Sequence, residues 1–214
     1  RQGNFDEAEN YFNGALHVTK KAAPALSMPA NVAEKKGDLK KALKLNEDAL
    51  QADPKFVKAG LGVARLQLQL KEFDVAEKTL KELLRFNPQS TEAEILLSRV
   101  MQKQGNTHEA IDNLDSLLVR TPDSWSAYFL QAQMHLRDKE FSKAAEAASK
   151  SLRIKPDNVR AVACLGQAFM GQGHFAKAIN VFNDALLVQP NMWQLKINLS
   201  KAFIHNEDYD EAKS

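Results

Sequence analysis

One cysteine, Cys164, in 214 residues excludes an internal disulfide framework and a CxxC metal site, and it leaves the compartment open between cytoplasm and periplasm. No apolar run approaches the roughly 18 residues of a membrane span, so direct membrane insertion is not expected. Charge of one sign is scarce as well. A formal net charge of +2 and a pI near 8.6 give no field that would recruit nucleic acid. The chain lacks a Walker loop, a GxSxG elbow and a Gly-rich phosphate cradle. Its five histidines, His17, His108, His135, His174 and His205, form no HxxxH pair. No catalytic residue, metal ligand or cofactor is therefore expected.

What is present is periodicity. A shift of 34 residues carries Ala178 onto Ala144, Ala110, Ala76, Ala42 and Ala8, and onward onto Ala212. The same shift aligns Pro54, Pro88, Pro122, Pro156 and Pro190, and carries Leu186 back through Leu152, Leu118, Leu84 and Leu50 to Leu16. A second row of small residues precedes each alanine by twelve positions: Ala30, Ala64, Ser98, Ala132, Gly166 and Ser200. Each unit reads as two amphipathic helices with apolar spacings of three and four, joined by a turn near Gly37, Gly105 or Gly173. Proline closes the unit, because it cannot continue one helix yet suits the first turn of the next. Strand signals are absent. The spacing predicts that helix backbones meet at the small residues while Phe and Leu fill the space beside them.

Leu165, Gly166 and Phe169, followed by Gly173, Phe175, Ala178, Phe182, Ala185 and Pro190, stand at the spacings of the tetratricopeptide repeat (TPR), and the chain resembles that family over essentially its whole length. The resemblance implies an all-α, right-handed superhelical solenoid of antiparallel helix pairs. It phases residues 1–214 as a single array with complete repeats at 23–56, 57–90, 91–124, 125–158 and 159–192, and partial repeats at 1–22 and 193–214. Both ends then fall inside a repeat, which points to a piece of a longer protein.

The repeat at 23–56 breaks the pattern, since Pro29 replaces Val63, Leu97, Gln131 or Leu165, and Asn46 stands in a row otherwise held by Phe12, Leu80, Leu114, Ala148 and Phe182. Two explanations are open. The first helix starts late, with Ser27 as its N-cap and Pro29 in its first turn; alternatively, the Asn46 amide bonds a carbonyl freed near Ala25. In either case this repeat is expected to be the weakest.

Lys35, Lys36, Lys40, Lys41 and Lys44 form the densest basic cluster, but Glu34, Asp38, Glu47 and Asp48 interrupt it and no aromatic residue interleaves, so a solvated face is expected rather than a nucleic-acid site. Trp125 and Trp193 each open a repeat, where packing against the preceding helix is expected. The Asn198-Leu199-Ser200 sequon lies in a predicted helix and carries no functional expectation.

In the family, the first helix of each repeat lines the concave face. By that resemblance one inward row is Asn31, Arg65, Arg99, Gln133, Gln167 and Lys201, which holds amides and cations but no carboxylate. The row four residues earlier, with Leu61, Ile95, Phe129 and Ile197, is mostly apolar, and a third runs from Glu34, Leu68 and Gln102 to Leu136, Met170 and Ile204. The apolar members either pack between first helices or anchor a ligand. The functional expectation is a noncatalytic scaffold that binds a protein or peptide segment carrying acidic and apolar residues. Asn31 is paired with Ser27 rather than Lys, and Leu61 precedes Arg65, so the pattern departs from the co-chaperone branch that captures a C-terminal carboxylate. Two rivals remain: a homo-oligomer joined through the uncapped ends, and a TPR appendage of a larger enzyme, response-regulator-like signalling protein or export-complex component.

Overall fold

The computed structural model describes residues 23–206. Expectations on residues 1–22 and 207–214, which include the first partial repeat, the end of the last one and His17, lie outside the described residues. Within them eleven α-helices follow one another, and no strand occurs among the described residues. They are α1 (Ala23–Lys36), α2 (Leu39–Ala52), α3 (Val57–Gln69), α4 (Phe73–Phe86), α5 (Thr91–Gln104) and α6 (Thr107–Arg120). After these come α7 (Trp125–Arg137), α8 (Phe141–Ile154), α9 (Val159–Gly171), α10 (Phe175–Val188) and α11 (Trp193–His205). Odd-numbered helices are the first and even-numbered the second members of successive hairpins. The chain forms two compact units, one ending at Ala110 and the other beginning at Ile111, so the division falls inside α6.

In the first unit, α2 packs against both α1 and α3, α4 packs against both α3 and α5, and α3 also touches α1 and α5. The second unit repeats the scheme: α8 lies between α7 and α9, α10 between α9 and α11, and α9 touches α7 and α11. Among the described residues, the backbones of second helices do not come close to one another in either unit. The small-residue rows explain this layering. Ala64, Ala76, Ala132, Ala144 and Ala178 are fully buried. At Gly166 a Cβ would overlap Cζ of the fully buried Phe182, so the ring occupies the volume that any other side chain would need. Around α7, α8 and α9 the core is chiefly alanine: Ala132, Ala144, Ala147, Ala148, Ala161 and Ala168 surround Phe129 and Leu165.

The first helices α1, α3, α5, α7 and α9 each turn into their partners through one residue in the left-handed region. Gly37, Gly105 and Gly173 take φ of 84°, 97° and 77°, and at the two matching positions Lys71 and Lys139 take 65° and 61°. A side chain there crowds the following carbonyl, which glycine avoids.

The aberrant repeat follows neither sequence-based explanation. Helix α1 begins at Ala23 and carries Pro29 inside it. Ser27 is no cap, because its hydroxyl donates to the Pro24 carbonyl at 3.0 Å. Asn46 is buried, but its amide donates to the Ala42 carbonyl of its own helix at 3.1 Å, a local bond that polar side chains commonly make inside helices. It lies against Gly62, where a Cβ would come within 2.9 Å of it.

Two measurements by urea unfolding test this packing. Gly166→Ala should cost about 1 to 3 kcal/mol by overpacking, and Phe182→Leu in the same chain should recover part of that loss, since the two sites share one volume. Independent behaviour of the pair would refute the contact. Lys139→Gly should stabilise by up to about 1 kcal/mol, the left-handed strain outweighing the extra freedom of glycine in the unfolded chain.

Candidate functional site

In the first unit the central row of the first-helix face consists of half-buried Asn31, exposed Arg65 and half-buried Arg99. Arg65 Nε reaches the Leu61 carbonyl one turn earlier at 3.4 Å, which steers the guanidinium along α3. Asn31, Glu34, Lys35 and Arg65 line a polar recess of about 520 Å³ between α1 and α3. Beside this row, Ile95 and Leu68 are half-buried, whereas Leu61 and Gln102 are buried.

In the second unit the same row holds half-buried Gln133 and exposed Gln167 and Lys201. Phe129 is only 5% exposed, and the Arg160 guanidinium lies 5.1 Å from its ring centre. Leu61, at 8%, and Phe129 therefore offer little surface to a partner and form a floor beside the polar row. Ile197 and Ile204 of α11 are 42% and 48% exposed, and Leu136 and Met170 are half-buried. Each unit thus groups its own members of the three rows.

Several charged groups elsewhere are tied in local pairs. Glu140 accepts from Lys143 at 2.8 Å and meets His135 Nδ1 at 2.6 Å, and these bonds, Lys143 first, hold its carboxyl below the usual range. Glu77 is lowered in the same way by Lys81 and then by the Gln104 amide, which also reaches Asp74 at 2.9 Å. Burial pushes the Cys164 thiol up to about 11, so it stays protonated and unreactive at neutral pH. His174 meets Gln172 and His205 stacks on Phe175, and no cluster of three metal-ligating side chains occurs among the described residues. No described helix is long and apolar enough to cross a membrane. Asn198 is buried, which places the sequon out of reach of a glycan.

The two tryptophans differ in exposure. Trp125 is half-buried: the Lys155 ammonium, just past α8, stands 4.5 Å from its ring centre, and Ser151 of α8 donates to its backbone carbonyl at 2.9 Å. The corresponding second helix for Trp193 lies outside the described residues, and Trp193 is 68% exposed.

Two models described as tetratricopeptide repeat match the chain, one over residues 33–94 and 135–196 and the other over 1–55 and 95–159. No curated protein sequence matches it. Among solved structures, the thermophilic TPR protein TTC0263 of Thermus thermophilus is 20% identical, with 86% of this chain and 100% of that one covered and a TM-score of 0.71. The APC/C hetero-tetramer Cut9–Hcn1 aligns over 96% of this chain and 41% of that one, at 16% identity and a TM-score of 0.78. YrrB, described as a TPR protein with an unusual peptide-binding site, aligns over 86% and 95% at 18% identity and a TM-score of 0.56. The fold is an all-α TPR solenoid of antiparallel helix pairs. With matches covering more than half of its length, the chain belongs to the tetratricopeptide repeat family, whose arrays are scaffolds for protein interaction.

Proposed function

We propose that the first-helix face of this array holds an extended or helical segment of a partner protein, binding its carboxylates through cations and amides and its apolar side chains beside them. The observation that carries this reading is the central row, which presents Asn31, Arg65 and Arg99 in one unit and Gln133, Gln167 and Lys201 in the other without a carboxylate. A hydrogen bond from a guanidinium to a carboxylate contributes about 1.5 to 3 kcal/mol. Ile95, Leu68 and Ile197 supply apolar contact above the floor formed by Leu61 and Phe129, and Gln102 supports the row from within. The peptide-binding site ascribed to YrrB supports this reading by analogy of fold. The same reading takes residues 1–214 as one array, phased as the repeat spacing indicates.

Its test is a labelled peptide alternating pairs of glutamate and leucine, titrated into the chain and followed by anisotropy. Arg65→Glu combined with Arg99→Glu should weaken binding at least about tenfold while leaving the helical circular dichroism intact. Unchanged affinity would sink the assignment.

A specific observation favours self-association as a second reading. Trp193, Ile197 and Ile204 fall on one side of α11 and are 68%, 42% and 48% exposed, a stripe that a second copy would cover. Under this reading light scattering should show mass rising with concentration, and Trp193→Glu should abolish the rise. A constant mass removes it.

A further inference from the structure

A different concavity lies beside the second helices. In the second unit it is a groove of about 440 Å³ between the end of α8 and α10, floored by Val159, Val162 and Leu165 of α9. Leu152 and Pro156 form one wall, Val181, Ala185 and Val188 form the other, and Asp157 and Asp184 stand in the lining. Neither aspartate side chain makes a hydrogen bond or ion pair with another described residue. Val162 points about 100° round α9 from Ala163 and about 140° from Gln167, so the floor it forms is turned away from the first-helix face.

The groove recurs in the first unit, three periods earlier, with a volume of about 230 Å³. Gly60 there takes the place of Val162, Glu82 that of Asp184, and Phe86 that of Val188. Both versions combine a small floor residue with a carboxylate on the second wall.

One period before Val162 and Asp184 the corresponding side chains meet each other. Tyr128 stands where Val162 does, and Lys150 stands where Asp184 does. The Lys150 ammonium lies 5.7 Å from the Tyr128 ring centre and is held by Glu146 at 2.6 Å. At the corresponding positions of the preceding repeat the chain thus sets a cation beside an aromatic ring. Between α8 and α10 the ring is cut back to valine and the charge is reversed. We propose that this groove docks a partner peptide carrying an aromatic side chain next to Lys or Arg, with the ring on Val162, Val181 and Ala185 and the cation at Asp184 and Asp157. Apolar walls supply most of the attraction, and the unpaired carboxylates select the neighbouring charge. The first-helix face selects acidic segments, so the two surfaces take different partners.

The experiment is a titration of the ¹⁵N-labelled chain with acetyl-Ala-Trp-Lys-Ala-amide, compared with acetyl-Ala-Trp-Glu-Ala-amide. The lysine peptide should shift the amides of Val162, Val181 and Ala185 and bind about two- to fivefold more tightly than the glutamate peptide. Asp184→Lys should remove or invert that preference, and Val162→Tyr should abolish the shifts by occupying the groove as Tyr128 does. Shifts confined to Gln167 and Lys201, no shifts at all, or a preference untouched by Asp184→Lys would overturn the proposal. Asp184 is exposed, so its variant keeps the test decisive if Val162→Tyr fails to fold.

Discussion

Close approach of helix backbones at small side chains is the constraint from which the remaining features follow. Where Phe182 lies over Gly166, the glycine provides room and the ring provides the buried apolar area, and neither residue has a role without the other. The same exchange of bulk for space recurs along the alanine rows. A first helix in this arrangement is held by second helices and by neighbouring first helices. Only a narrow stripe of each first helix is left facing water, and the identity of the residues on that stripe is free of packing demands.

That freedom separates two kinds of position that look alike in sequence. Leu61 and Phe129 sit one turn before the polar row, yet both are buried. Arg65, Gln167 and Lys201 extend from the same helices into solvent. Polar chemistry on this face is therefore carried by long side chains, whose charged or amide heads stay hydrated while their stems cover carbon.

Helix number, hairpin pairing and the burial of the alanine row were legible from the 34-residue period because every repeat solves the same packing problem with the same residue types. Departures from the period were harder to read. Pro29 suggested a delayed helix start, yet α1 runs through it, and Asn46 suggested a bond between helices where a local one forms. Both outcomes depend on which polar group lies nearest in three dimensions, which one repeat alone does not disclose. The left-handed Lys71 and Lys139 were likewise hidden, since only their alignment with Gly37, Gly105 and Gly173 points to them. Tyr128 and Lys150 against Val162 and Asp184 were visible as a substitution pattern, but spacing alone does not specify that each pair meets across two helices.

The alanine-rich packing of α7, α8 and α9 has a mechanical consequence. Alanine has no rotamers to lose on burial and no longer side chain through which a contact can give way. Neighbouring helices there cannot absorb a mismatch by repacking, so the rise from Gln133 to Gln167 behaves as a fixed graduation. Any molecule laid across those rungs would meet a spacing that the packing beneath holds fixed.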